Sequence, residues 1–501
     1  MKISAYRSIF HALPDQQLLV LSYVFAHCGV FFVLPAIYWD DWVLFGHAAG
    51  DILARFKMAG TPFGLYAQLH NYMQLLGPIG YKCATFLLYL GSAVAFYKIL
   101  ARQQWLTSES RFLIALLFAV LPFNFARIIG ITLPYALSNF LFFLAWYWLL
   151  THKVLAGGLF LFAFFTQSYL VFYLLPILEL LRRELFLSGF SWRGDLPREA
   201  LLWTLRNLPL VALPVVVFLI KTLYFPPTGF YAGYNEGFGL EKLWPTLKIV
   251  YSDFIGQDLS LPLLVIGLLL ARALLSRVKG IFPDCSVLLA GLIAIALALF
   301  PYLILGLAPV FEEWPASRHQ LLLPLGVACL TVGGVGYLGP ALARHAIGLV
   351  LAISFAMNFN AYYVAYLDWR KQTAVLEFLR DSDFKQADVI LLDDRTETRF
   401  RRTLGFYEWS GIVRLAYGDD RRFAMRIDEY PNYLGGRYDQ YFLPMYNAGH
   451  HKRHDENAVR VLVIDYVKQI GAPPLMFGRQ NYSIRLAPVE SLRKDLCRVC
   501  S

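Results

Sequence analysis

Charge is what this sequence has little of. Only 16% of its 501 residues are Asp, Glu, Lys or Arg, against about 25% in a soluble globular chain. That shortage excludes a disordered segment, a coiled coil and an ordinary soluble enzyme. Cysteine is sparse too, with six residues. Cys28, Cys83, Cys285 and Cys329 sit in or beside apolar runs, where a free thiol behaves as a small hydrophobe. Cys497 and Cys500 form a lone CxxC with no second pair, which is weak ground for zinc or redox chemistry. P-loop, dinucleotide GxGxxG and HExxH patterns are all missing, so ATP-driven and nicotinamide-dependent mechanisms have no support. Ionisable residues inside the apolar runs are few, which argues against an ion-coupled transporter. No fixed-period repeat and no low-complexity linker is visible.

Hydrophobic residues make up 58% of the chain, and its mean hydropathy is +0.50. This is the composition of an α-helical polytopic membrane protein. The net charge, 45 − 35 = +10, would suggest nucleic acid in a soluble protein. In a membrane protein the placement of the charges comes first, and no nucleic-acid partner is expected.

A bilayer core about 30 Å thick needs about 20 apolar residues per helix. Spans are predicted at 18–37, 81–100, 111–127, 133–150, 154–166, 168–181, 200–223, 260–278, 285–307, 320–340 and 345–365, eleven in all. The fifth and sixth are short, divided by the polar break Thr166-Gln167-Ser168. Lys98, Arg102, Arg111, Lys153, Arg182, Arg183 and Arg344 then fall on one side of the membrane, with Lys2 and Arg7. The positive-inside rule makes that side cytoplasmic. The N-terminus is expected in the cytoplasm, the C-terminus outside, and the first span is expected to be an uncleaved anchor. Residues 1–365 would form the membrane domain, with outer loops at 38–80 and 224–259. Residues 366–501 would form a small extracytoplasmic α/β domain. In it, Val389-Ile390-Leu391-Leu392 and Val461-Leu462-Val463-Ile464 read as buried strands, with a helix at 371–380 before them.

The strongest chemical signal is Tyr38-Trp39-Asp40-Asp41-Trp42, just outside the first span. One reading is a cap for a helix at 42–58, flanked by interfacial tryptophans. The other is a general base in an outward cleft, since a boundary of low dielectric raises a carboxyl pKa. Successive helical side chains point about 100° apart, so one Asp can orient while the other faces the cleft. A second signal is Trp314-Pro315-Ala316-Ser317-Arg318-His319-Gln320, preceded by Glu312 and Glu313. Arg318 can grip a phosphate through paired N–H donors, and His319 can add a donor or protonate a leaving oxygen. Alternatively both snorkel to headgroups. The third is the Pro/Gly-shaped segment from Lys221 to Asn235. There Lys221 can meet a phosphate, and Tyr231, Tyr234 and Asn235 can hold a sugar, or the segment is an aromatic belt. Arg127 and Gln167 are further candidates for donor phosphate and substrate, respectively. His27 reads as a packed, hydrogen-bonded histidine. The charges from Asp393 to Arg402 read as a solvated face, and His450, His451 and His454 as loop residues.

An acidic pair in the first outer loop of a many-span protein resembles the GT-C superfamily of membrane glycosyltransferases. The short fifth and sixth spans and the outer C-terminal domain resemble that architecture as well. The resemblance implies a catalytic carboxylate at Asp40 or Asp41 and a sugar donor linked to a polyprenyl phosphate. It also implies a donor-phosphate contact in the segment holding Arg318. The partners would be a lipid-linked sugar donor, membrane lipids and a glycan or lipid acceptor of the cell envelope. The site would lie on the outer face of the plasma membrane. An acidic pair can bind a divalent cation such as Mg or Mn, though many similar enzymes need none. Rival readings are a lipid-linked polysaccharide polymerase or ligase, a flippase of lipid-linked sugars, and a non-catalytic envelope protein.

Overall fold

Where lipid replaces water, each helix must satisfy its own backbone, and proline marks where that fails. The computed structural model describes residues 13–186, 196–233, 239–255, 260–276, 278, 280–281, 283–311, 315–382, 389–396, 403–418, 422–436, 459–466 and 482–487. Among these, four helices are long and apolar enough to cross a membrane: Asp15–Val33, Gly77–Ala101, Cys285–Leu303 and Pro340–Asp381. Lys153–Ala163, Leu213–Tyr224, Leu261–Leu275 and Leu323–Leu338 are apolar but shorter. The expected eleven spans are therefore corrected: four are present among the described residues. Proline explains much of the difference. The stretch at 200–223 divides into Leu196–Arg206, Leu208–Val211 and Leu213–Tyr224. Pro209 and Pro214 each stand in the first turn of a new helix, where the missing N–H costs nothing. The stretch at 111–127 ends its helix at Val120, before Pro122, and Asn124 then takes a left-handed φ of 59°.

Glycines let the helices approach closely. A side chain at Gly29 would strike Tyr362, one at Gly267 would strike Ala352, and one at Gly291 would strike Leu330. Small residues at helix contacts are the usual device for packing in lipid, where apolar burial alone drives little association.

Helix Pro340–Asp381 runs 42 residues, through the expected domain boundary at 365/366 without a break. Its last turns leave the bundle and cover a four-stranded sheet in the order β2-β1-β3-β4. The strands are β1 (Val389–Asp394), β2 (Phe423–Arg426), β3 (Val459–Tyr466) and β4 (Tyr482–Ala487). β1 pairs in parallel with β2 and β3, with Leu391 opposite both Met425 and Val461, and β4 runs antiparallel to β3. A parallel sheet is covered on both faces, hence the unbroken apolar runs. Ile390, Leu392, Leu462 and Ile464 pack with Val375, Leu379, Trp409 and Trp42. Val389, Leu391, Val461 and Val463 pack on the other side with Phe406, Met425 and Tyr433. Asp394 is not solvated as its charge run implied. It is buried against Lys371, 2.6 Å away, and accepts from the hydroxyl and N–H of Thr396. Trp42 thus ties the turn after the first long helix to the sheet, and Gly411 leaves room for its ring.

Candidate functional site

The turn Trp39–Val43 is a 3-10 helix, and the next α-helix begins only at Ala49. The expected cap of a helix at 42–58 is thus absent. Asp41 instead braces a distant loop. Its carboxylate accepts the N–H groups of Gly130 (2.8 Å) and Ile131 (2.7 Å), and that of Tyr38 at 3.4 Å. Lys82, whose ammonium donates to Ala36 O at 2.5 Å, stands nearby. Burial pushes the Asp41 carboxyl up, and Lys82 with the three amides holds it down. Asp41 is 1% exposed and faces away from open space.

Asp40 faces the other way, into a cavity of about 360 Å³. Burial pushes its carboxyl up to about 7; Arg318 and a hydrogen bond from Tyr407 pull it down, while the charges of Glu408 and Asp41 push it further up. The residue before it, Trp39, has a left-handed φ of 50°, a conformation that a bulky side chain adopts only when held. Glu408 holds it. This carboxylate is 1% exposed and accepts the Trp39 N–H at 2.9 Å and the Gly405 N–H at 3.0 Å. Arg414, on the same helix (Phe406–Tyr417), donates to Trp42 O and Phe45 O and meets His47 Nε2 at 2.7 Å.

Asp40 shares the cavity with Gln167, Lys221, Tyr231, Arg318 and His319. The polar break at Thr166–Ser168 supplies one wall, and Trp39, Phe56, Tyr66, Tyr135, Phe165 and Tyr302 supply aromatic surface. Thr166 Oγ1 donates to Ser138 at 2.9 Å and meets Tyr66 OH at 3.4 Å. A volume of this size suits a small ligand, with few polar groups on largely apolar walls. The guanidinium of Arg318 lies over the Trp39 ring, 5.3 Å from its centre, and donates to Pro315 O at 2.6 Å. The His319 ring lies tilted by 36° against that of Tyr302, 4.9 Å between ring centres. Burial and the Arg318 charge lower its pKa to about 3. That direction favours the neutral imidazole, which can exchange a hydrogen bond. Its Nδ1 is buried with no partner among the described residues. Tyr231 is brought in by the turn Gly229–Tyr231, anchored where Thr228 N–H donates to Met58 O at 2.8 Å.

Among the described residues, one expected contributor is missing from the cavity lining. Arg127 does not reach the cavity: it donates to Asn124 O (3.1 Å) and Phe123 O (2.5 Å) and meets His27 at 2.9 Å. A guanidinium buried among helices must take whatever carbonyls close its loop, and Arg127 does so beside its own turn. His27 is fully buried and bonded to Ala119 O at 3.1 Å. Tyr234 and Asn235 lie outside the described residues, as do Glu312, Glu313, Trp314, Arg399, Arg401, Arg402, His450, His451, His454, Cys497 and Cys500. Conversely, Tyr407 and Glu408 were missed. In the sequence they are an ordinary aromatic and acid at a helix start, more than 360 positions from Asp40.

The residues do not fit the cation that an acidic pair suggests. Both Asp41 oxygens already accept amides, and the two aspartates diverge. Among the described residues no three His, Cys, Asp or Glu side chains converge on a metal-sized site. Compared with known proteins, the chain matches no family model and no curated protein.

Proposed function

We propose that the chain is a membrane glycosyltransferase acting on the outer face of a cytoplasmic membrane. Asp40 takes the proton from an acceptor hydroxyl of an envelope glycan or glycolipid. The freed oxygen attacks the anomeric carbon of a sugar linked to a polyprenyl phosphate. The carbon–oxygen bond to phosphate breaks, and the departing phosphate keeps the electron pair. Arg318 and Lys221 stabilise its charge, and the aromatic walls with Tyr231 and Gln167 hold the sugar. One displacement of this kind inverts the anomeric carbon. His319 serves as a neutral hydrogen-bonding group.

The observation that carries this reading is the single cavity shared by Asp40, Arg318 and Lys221. A base and a leaving-group contact must flank one reacting centre. A base works best with a pKa near the working pH, and burial brings Asp40 to about 7. The test supplies membranes with radiolabelled polyprenyl-phosphate sugars and follows label into lipid and glycan fractions. Native protein should form a labelled glycoside, and Arg318→Gln should slow it about 10²–10³-fold, the usual loss on removing one group that stabilises developing charge. Label that crosses the membrane without forming a glycoside would replace this reading with a flippase.

A further inference from the structure

A second cavity lies apart from the one at Asp40. It encloses about 550 Å³ and is lined by Phe96, Leu100, Trp146, Leu175, Val287 and Leu325, among others. It lies at the far end of the bundle. Helix Gly77–Ala101 starts beside Asp41, where Lys82 stands, and ends next to Gln103 on the cavity wall. From Lys82 to Leu100 on the cavity wall this helix rises about 27 Å at 1.5 Å per residue, which sets the two sites apart.

Protein interiors are packed to crystal density, and apolar walls facing empty space forfeit dispersion energy. A void of this size, far above an engineered one of about 150 Å³ that stays dry, needs an occupant. Its rim carries Trp105, Leu178 and Leu289, which are 41%, 40% and 58% exposed. An exposed apolar rim between apolar helices opens toward hydrocarbon chains. The polar end is built. Glu179 accepts from Gln103 (2.5 Å), Trp146 Nε1 (2.7 Å) and Arg183 (3.0 Å), so its charge is matched. Arg182 donates to Gln103 Oε1 at 2.8 Å and has no carboxylate of its own among the described residues. A guanidinium carries five N–H donors, which leaves a forked cation at the mouth of an apolar cavity. Lys98, Arg102 and Arg111 stand at the same end of the bundle.

We infer that this cavity is a binding site for an anionic phospholipid of the bilayer, one acyl chain between helices Gly77–Ala101 and Cys285–Leu303 and the phosphate on Arg182. Basic pockets between membrane helices take anionic headgroups in this way.

The test purifies the full chain in detergent and exposes it to mixed vesicles of phosphatidylglycerol and phosphatidylcholine. Retained lipid is measured by native mass spectrometry. A surface-proximal cation contributes about 1 kcal/mol, so phosphatidylglycerol should be retained about fivefold over phosphatidylcholine. Arg182→Gln should erase that preference, and Arg182→Lys should keep most of it. Ala290→Phe, which fills the cavity wall without touching a charge, should reduce retention of both lipids and covers the case in which the Arg182 variants do not fold. Arg344→Gln, a charge away from the cavity lining, should change nothing. Equal retention of the two lipids by native protein, or a preference that survives Arg182→Gln, would overturn the site. Displacement of phosphatidylglycerol by a polyprenyl phosphate at equal concentration would assign the cavity to that lipid and overturn the phospholipid.

Discussion

Asp40 and Asp41 are neighbours in sequence and opposites in surroundings. On the packed side of the turn, Asp41 has each oxygen engaged by backbone amides and Lys82 close by. On the cavity side, Asp40 has the phenol of Tyr407, the field of Arg318 and an open space. Burial raises both carboxyls. The difference is saturation. A carboxylate whose lone pairs are filled holds a structure together, whereas one with lone pairs left over can receive a proton. Carboxylates of like identity thus divide, within a single turn, into a brace and a cavity-facing group, the one that the proposed mechanism uses as its base.

The sharpest way to break the comparison is to remove each charge alone. Asp40→Asn should lower sugar transfer about 10²–10⁴-fold, the range for loss of a general base, at normal protein level. Its stability should change with a definite sign. A carboxyl raised from about 3.9 in the unfolded chain to about 7 in the fold holds its proton in the folded state. Its contribution is full below about pH 4 and lost as pH rises through about 7. The Asn variant should match native protein in thermal unfolding at acidic pH and melt higher than it at pH 8. Asp41→Ala should do the reverse and act on folding. It orphans the N–H groups of Tyr38, Gly130 and Ile131, at about 1–3 kcal/mol for each buried donor left unmade. A melting curve or the yield of purified protein reads this directly, and a well-folded Asp41→Ala variant with lost transfer would exchange the two roles.

A smaller effect sharpens the comparison from the C-terminal unit. Glu408 raises Asp40 by its charge and holds Trp39 by its oxygens. Glu408→Gln removes the charge, and its one amide oxygen can keep the Trp39 N–H while the Gly405 N–H loses its acceptor. Transfer should fall only several-fold, and the acid limb of the pH profile should move to lower pH. A residue that merely packs would reduce the rate and leave the limb in place.

Much of this arrangement was legible where chemistry interrupts apolar sequence. Gln167 sits in a polar break, Arg318 and His319 at the mouth of an apolar run, Lys221 and Tyr231 beside a Pro-Pro turn, and all line the cavity with Asp40. The β1 and β3 strands announce themselves as runs of branched apolar residues, because a parallel sheet buries both faces. The span count was not legible, since hydropathy averages over Pro122, Pro209 and Pro214 whereas a helix does not. Nor was the division of labour between Asp40 and Asp41. It depends on the amides of Gly130 and Ile131, about ninety positions away, which carry no side-chain signal. Arg127 misled for a related reason: one basic residue in a short turn looks ligand-facing until its own carbonyls close around it. Glu408 and Tyr407 reach Asp40 only through the fold of helix Pro340–Asp381 against the sheet.

The most direct test of Asp40 as the base is the pH dependence of initial transfer rate from a labelled polyprenyl-phosphate sugar, for native protein and Asp40→Asn in matched membranes. The native rate should rise with pH through about 7, as the carboxyl with that raised pKa loses its proton, and the Asn variant should retain a small rate with no such rise. A native rate that stays flat from pH 5 to pH 9 (values on the order of two units either side of neutrality), or a rise that persists in Asp40→Asn, would contradict the assignment.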